Sequence, residues 1–478
     1  MATTRKAMNT LHLVATGDSV VEEFTSPRSS IADRLRAGKA LRRRVPRASL
    51  AEFARPSRRK HPVAILEEQA RTRIPELVPV RHARMLASPF AFLRGGAAIM
   101  AQDLSPSPIT GISVQACGDM HVANFGVFAS AERNLVFGIN DFDETIRGPW
   151  EWDLKRLVTS AVVAGQFLGA DRQSCGDFSR RVVRAYREHI REYAHMGYLT
   201  TWYATIRERD LFSAVSPKLC RRLQKILAKA KKGSHLQVLE KLTDLVDDKH
   251  RIVESAPFVV RETVTQQGTP IKKALGGFLE KYLSSLSSDR RTLLSHYQIL
   301  DVARKVVGVG SVGTRCWVIF MRGLDDGDPL FLQVKEAQPS VLAPYVDAPD
   351  FGNQGLRVVN GQRLIQGAPD ILLGWATVEG HDFYARQLRD MKGGYEFDPE
   401  TWTREGFLNY CALCGWALAL AHAKSGDAAM IAGYVGKSEA IDEALTKFAF
   451  AYSEQNEFDY AELQKAARTD RIKVYKVA

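Results

Sequence analysis

The chain has 478 residues, 45% of them hydrophobic and 25% charged, with a formal net charge of +12. This balance excludes disorder over most of the length, and the length favours two or three packed subdomains over a single core. The charge is local: residues 28–60 hold twelve Lys and Arg against Asp33 and Glu52, a net +10. One aromatic, Phe53, interrupts that run, too few for base stacking, so a docked or solvated basic arm is expected and nucleic acid is not the expected partner. Six scattered cysteines, Cys117, Cys175, Cys220, Cys316, Cys411 and Cys414, do not make a disulfide framework and suit a reducing, cytoplasmic setting. No run of about 18 apolar residues appears, and the acidic, apolar-poor opening gives no sign of a membrane span or secretory signal.

In chain order, residues 1–60 read as the basic arm, with one short helix near Ile31–Leu41. Residues 61–300 read as a mainly helical lobe. It opens with two helical stretches between Pro62 and Asp103, separated by "SPFAFLRGG" (Ser88–Gly96), which a proline opens and glycines close. "ISVQACGD" and "NLVFGIND" read as short strands, each ending in an acid. Leu154, Leu157, Val158, Ala161 and Val162 then fall at helical spacing, and amphipathic helix continues over 170–300 with a basic turn at Ala228–His235. Residues 301–400 are strand-rich, with a Gly/Asp turn at Asp325–Asp328 joining a hairpin. Residues 401–478 are helical, with one long helix over Phe407–Ala423, and are expected to pack back on the helical lobe. The fold class is α+β.

The chemistry concentrates in "CGDMHVANFGVF" (Cys117–Phe128) and "INDFDET" (Ile139–Thr145). Asp119 and Asn124 lie on a loop after one strand, and a second strand delivers Asp141. Phosphoryl transfer needs an acid to orient the attacking hydroxyl, together with an amide oxygen and a carboxylate to hold magnesium, and these residues match that set. His121, beside Asp119, is positioned to line the same site. Turn formation alone accounts for any one such Asp or Asn, but poorly for a spaced set on two strand ends.

"GDMHVANFG" and "NDFDE" resemble the two corresponding motifs of the aminoglycoside phosphotransferase and choline kinase branch of the protein-kinase-like superfamily. "PVRHARMLASPFAFLRG", "NDFDETIRGPWEWDLKRL", "VGVGSVGTRC", "LQVKEA" and "AHAKSGD" extend the likeness to the bacterial domain of unknown function 2252, which brings no established substrate. The resemblance implies a two-lobe kinase-like fold, with Asp119 as base, Asn124 and Asp141 as magnesium ligands and Asp143 as a further metal or supporting group. It implies that Asp153 holds the catalytic loop by backbone hydrogen bonds.

The nucleotide half is read from "GVGSVG", in which Gly308, Gly310 and Gly313 carry the G-x-G-x-x-G spacing. A strand, "CWVIF", follows instead of a helix, so the glycines and Ser311 sit in a hairpin, where backbone amides can cover phosphates. Lys335 on the next strand matches the lysine that pairs with the α- and β-phosphates. The implied cofactors are ATP and Mg2+, with an unidentified hydroxyl- or amine-bearing acceptor. The catalytic loop precedes the Gly turn, the reverse of kinase order, so a circular permutation is expected. The acid that pairs with the strand lysine has no clear counterpart: Glu336 points to the other strand face, Gln362 is an amide, and Glu379 is a candidate. Arg386, Arg389 and Lys392 are candidates for phosphate contact, and Arg94 for an anion contact. Cys411 and Cys414 read as packed thiols, and His422 as a buried hydrogen-bonding residue. The rival readings are a catalytically idle or adenylyl-transferring nucleotide-binding module and a metal-dependent phosphoesterase, the latter suggested by Gly-Asp-x-His but without the further His ligands such sites use.

Overall fold

The computed structural model describes residues 21–475 except Glu23, Ser57 and residues 214–216, 233–234, 247–248 and 389–390. Arg389 therefore lies outside the described residues, as does part of the basic stretch Ala228–His235, whose first residues continue the helix Pro217–Lys232. The molecule is α+β, with antiparallel sheets and a large helical part.

The first helix, Ile31–Ala40, is capped by the Ser30 side chain, which accepts from Asp33 N at 3.1 Å. "SPFAFLRGG" is a helix of its own, Pro89–Gly95, where a break was expected. Ser88 supplies the N-cap, accepting from Ala91 N at 3.0 Å, and Pro89 sits at a first-turn position that needs no N–H. Four short helices, Pro62–Ala70, Val78–Met85, Pro89–Gly95 and Ala97–Leu104, thus replace the expected two.

Strands β1 (Ser113–Ala116) and β4 (Ile146–Pro149) pair antiparallel, and so do β2 (Phe125–Ala129) and β3 (Leu135–Ile139). The β1–β2 and β3–β4 connections are thereby brought side by side, and Asn140 N donates to Asn124 O at 2.9 Å. β5 (Ile206–Arg207) extends the β2–β3 pair. Beneath them the helix Trp150–Phe167 is buried along nearly its whole length, packed by Arg172–Tyr193, Arg404–Ser425 and Ala440–Arg468.

Residues 170–300 are less helical than their amphipathic pattern suggests. β6 (Thr243–Val246) and β7 (Lys249–Ile252) form a hairpin, and β8 (Val259–Val260) and β9 (Gln298–Lys305) join the main sheet. Sheet pairing overrides local helical preference there. That sheet is antiparallel in the order β12–β13–β11–β10–β9–β8, with β10 (Cys316–Arg322), β11 (Pro329–Glu336), β12 (Gly374–Val378) and β13 (His381–Gln387). The helix Ile271–Ser284 covers one face through Phe278 and Tyr282. The helix Gln354–Ile365 packs on β12 and β13 and reaches β1.

Three arginines of the basic arm dock on the rest of the fold. Arg42 donates to Gly433 O (2.7 Å) and Tyr434 O (2.8 Å), and Arg47 to Val435 O (2.9 Å), the C-terminal carbonyls of the helix Ala428–Val435. Arg59, 2% exposed, joins Asp103 and Asp459, also buried. Among the described residues one helix, Arg404–Ser425, is long and apolar enough to cross a membrane; 72% of that window is buried within the fold. Its Cys411 and Cys414 are fully buried, and burial pushes both thiols well above the ordinary value. Replacing Arg59 by Ala strands two buried carboxylates, and urea unfolding is expected to show a loss of roughly 3–5 kcal/mol.

Candidate active site

Each loop is held in place by groups buried beneath it. Asp153, 2% exposed on the first turn of the helix Trp150–Phe167, accepts from Cys117 N (2.7 Å) and Gly118 N (2.9 Å). His422 lies 3.4 Å from the Asp153 carboxylate, and its other ring nitrogen meets the Tyr186 hydroxyl at 2.8 Å. Gly118 has a φ of +81°, and a Cβ there would meet Glu144 O at 2.4 Å, so only glycine lets the two loops touch.

Asp119 is clamped by Arg156, whose Nε and Nη2 donate to Oδ1 at 2.8 and 2.5 Å. Its Oδ2 lies 3.8 Å from His121 Nε2. His121 is 7% exposed, and burial lowers its pKa to about 3, so the ring is neutral at pH 7 with Nδ1 lacking a protein partner. The amide nitrogen of Asn124 donates to Asp141 O (3.1 Å) and Asp119 O (3.3 Å), which leaves its oxygen as the atom available to a cation.

Lys335 joins the sheet to these loops. In register it lies between Cys316 of β10 and Tyr384 of β13. Its side chain is 2% exposed, with Nζ 2.6 Å from Asp143 Oδ2 and 3.4 Å from Asp141 Oδ1. Burial opposes the ammonium charge, but the two carboxylates overcome it and hold the lysine pKa well above its ordinary value. Asp143 also accepts from the Tyr384 hydroxyl (2.5 Å) and Ser311 Oγ (3.2 Å). Asp141 is the more open carboxylate, its side chain 42% exposed. Enclosure in the cleft works to raise its pKa, and Lys335, Arg386 and Lys392 outweigh that and leave it below the usual value.

Gly308, Gly310 and Ser311 face a cavity, whereas Gly313 packs against Arg73, with its carbonyl accepting from Ile74 N at 2.8 Å. Glu336 lies on the other strand face, bonded to Arg315 N (2.9 Å) and Nη1 (3.1 Å). Glu379 accepts from Thr265 at the β12–β13 turn, and Gln362 bonds Gln366 at 2.7 Å, so neither partners Lys335. Two cavities meet here. The larger, about 830 Å³, is lined by Lys335, Gln333, Gln366, Arg386 and the segment 392–397. The smaller, about 260 Å³, is lined by Asp119, His121, Asn124, Arg73, Arg81 and Arg94. Arg94, Asp141, Gly308, Ser311, Arg386 and Lys392 are among the residues that line both.

A family model described as "Uncharacterized protein conserved in bacteria (DUF2252)" matches residues 73–466. The chain belongs to the DUF2252 family. No curated protein and no solved structure matches it. The span matched by the DUF2252 model holds both loops, the Gly turn and Lys335. Sequence reasoning missed two residues of this DUF2252 site. Arg156 stands three residues after Asp153, on the same helical face, a spacing that does point both at one loop. Tyr384 is visible only once β11 and β13 are paired. Asp153→Ala leaves two buried N–H groups without acceptors, and is expected to cost roughly 2–4 kcal/mol in chemical unfolding, more than Tyr384→Phe at about 1 kcal/mol.

Proposed function

We propose that the chain is an ATP- and Mg2+-dependent phosphotransferase with a circularly permuted, kinase-like two-lobe fold, acting on a hydroxyl- or amine-bearing acceptor. The observation that carries this reading is Lys335 on the sheet, paired with Asp141 and Asp143 at the end of β3 and in one cleft with Asp119 and Asn124. The larger cavity has the volume of a nucleotide site. Lys335 and the turn Gly308–Ser311 are the groups that would hold the phosphates there.

Asn124 and Asp141 offer oxygen donors of the kind Mg2+ uses. Among the described residues no cluster of three or more His, Cys, Asp or Glu stands ready to hold a metal. That fits an ion completed by nucleotide oxygens better than the phosphoesterase alternative, which builds its metal centre from side chains. When bound, Mg2+ would neutralise charge developing between the β- and γ-phosphates. Asp119, held in place by Arg156, orients the acceptor hydroxyl and takes its proton. The acceptor oxygen bonds to the γ-phosphorus as the bond to the β–γ bridging oxygen breaks, leaving ADP. Asp143 takes the place of the missing acid partner, tethering Lys335 until the phosphates arrive.

The permuted order is supported by the helix Arg404–Ser425, whose last residue lies against β1, 310 positions earlier: Gln115 N donates to Ser425 Oγ at 3.1 Å. One observation favours a catalytically idle or adenylyl-transferring nucleotide module as a second reading. The helix Gln354–Ile365 sends no acid to Lys335, and Gln362 is spent on Gln366.

Calorimetric titration of ATP with and without Mg2+ tests the proposal. Wild type is expected to bind ATP in a Mg2+-dependent manner, and Lys335→Ala and Asp141→Ala each to weaken binding by about tenfold or more. A folded wild type that binds no Mg-ATP overturns the reading.

A further inference from the structure

Among the described residues, three of the arginines that line the smaller cavity have no ion-pair partner. Arg81 is 1% exposed and Arg73 9%. Arg81 Nη2 donates to Gln69 Oε1 (2.8 Å) and Gly95 O (3.1 Å), while its Nε and Nη1 have no protein partner. Arg73 spends Nη1 on Val312 O and keeps an unpartnered Nε, and so does half-buried Arg94. Among the described residues none of the three has a carboxylate within 4.0 Å. Of the acids that line the cavity, Asp119 is engaged by Arg156, Asp141 and Asp143 by Lys335, and Glu336 by Arg315, while Glu144, which accepts from Val341 N at 2.7 Å, has its pKa pushed up to about 7 by burial. Burial lowers the Arg73 pKa to about 10 and holds Arg81 well below its ordinary value, and the more distant Glu144 only partly offsets this at both.

Three guanidinium groups around one cavity are costly to the fold unless an anion completes them. Their planar forks match phosphate oxygens. The location says which phosphate. Asp119 and His121 line this cavity and not the larger one, and Lys335 lines the larger and not this one.

We propose that the smaller cavity is the acceptor subsite, and that the acceptor bears a phosphate monoester held by Arg73, Arg81 and Arg94 beside Asp119. This rests on the phosphotransferase reading of the adjoining cleft. The three cations favour a dianion over a monocarboxylate.

Titration of inorganic phosphate, with acetate at matched ionic strength as the comparison, provides the test. Phosphate is expected to bind wild type about tenfold or more tightly than acetate, and still to bind when a non-hydrolysable Mg-ATP analogue occupies the cleft. Arg73→Gln and Arg94→Gln should each weaken phosphate binding about tenfold, and Arg73→Gln, at a residue that lines only the smaller cavity, should leave the analogue's affinity within about twofold; Lys335→Ala should do the reverse. Arg94 makes no side-chain hydrogen bond among the described residues, so its substitution keeps the test open if Arg73→Gln fails to fold. Phosphate binding indifferent to both arginine variants, matched by acetate, or abolished by the analogue overturns the subsite. Arginine-dependent phosphate binding in a folded protein that binds no Mg-ATP overturns the nucleotide reading and the acceptor role with it, and leaves only an anion site.

Discussion

A lysine ammonium buried to 2% exposure needs carboxylates beside it, and Lys335 has them only because the sheet and the β3–β4 loop meet. Asp143 is the hub of that junction. Lys335 comes from β11, Tyr384 from β13 and Ser311 from the Gly turn, and all three end on its two oxygens. Removing any one donor weakens the contact of the whole strand-rich region with the loop pair. The same arrangement leaves Asp141 open to the cleft, with cations on its far side. Apolar packing backs this charge: Ala337, Leu342, Val358 and Tyr384 share one buried cluster with Ile139, Phe142 and Ile146.

The loops depend in turn on a buried polar column. Tyr186, His422 and Asp153 run from the helical core to the backbone of Cys117 and Gly118, and each polar contact lies in a fully enclosed setting. Hydrogen bonds of that kind are strong where they are satisfied and expensive where they are broken. The column fixes the first residues of the loop and lets Asp119, Asn124 and Asp141 converge. Arg156, anchored also on Leu93 O at 2.8 Å, fixes Asp119 from the side of the helix Pro89–Gly95.

The acids of the site were legible in the sequence because short strands ending in Asp leave a simple trace, and because Asp119, Asn124 and Asp141 need no distant residue to be noticed. The Gly turn was legible from the strand that follows it. What the sequence hid were relations across the chain. The partner of Lys335 was sought on Glu379 or near Gln362, yet it is Asp143, already in view as a possible metal group. "SPFAFLRGG" looked like a break because Pro and Gly punctuate chains, but proline after a serine cap also starts a helix. Residues 243–246 and 249–252 looked helical, yet they pair with each other as a hairpin, and Val259–Val260 pairs with β9. The arginines of the smaller cavity and of the arm look alike in composition. Folding separates them: Arg42, Arg47 and Arg59 end on carbonyls or carboxylates, whereas Arg73 and Arg81 each reach a carbonyl and, like Arg94, still keep unpartnered N–H groups.

That Lys335 and Asp143 tie the main sheet to the β3–β4 loop is tested most directly by a double-mutant cycle in chemical unfolding, using Lys335→Met, Asp143→Asn and the pair. The account predicts that the double variant is less destabilised than the sum of the single ones, with a coupling of about 1–3 kcal/mol. Effects that add to within about 0.5 kcal/mol would contradict it.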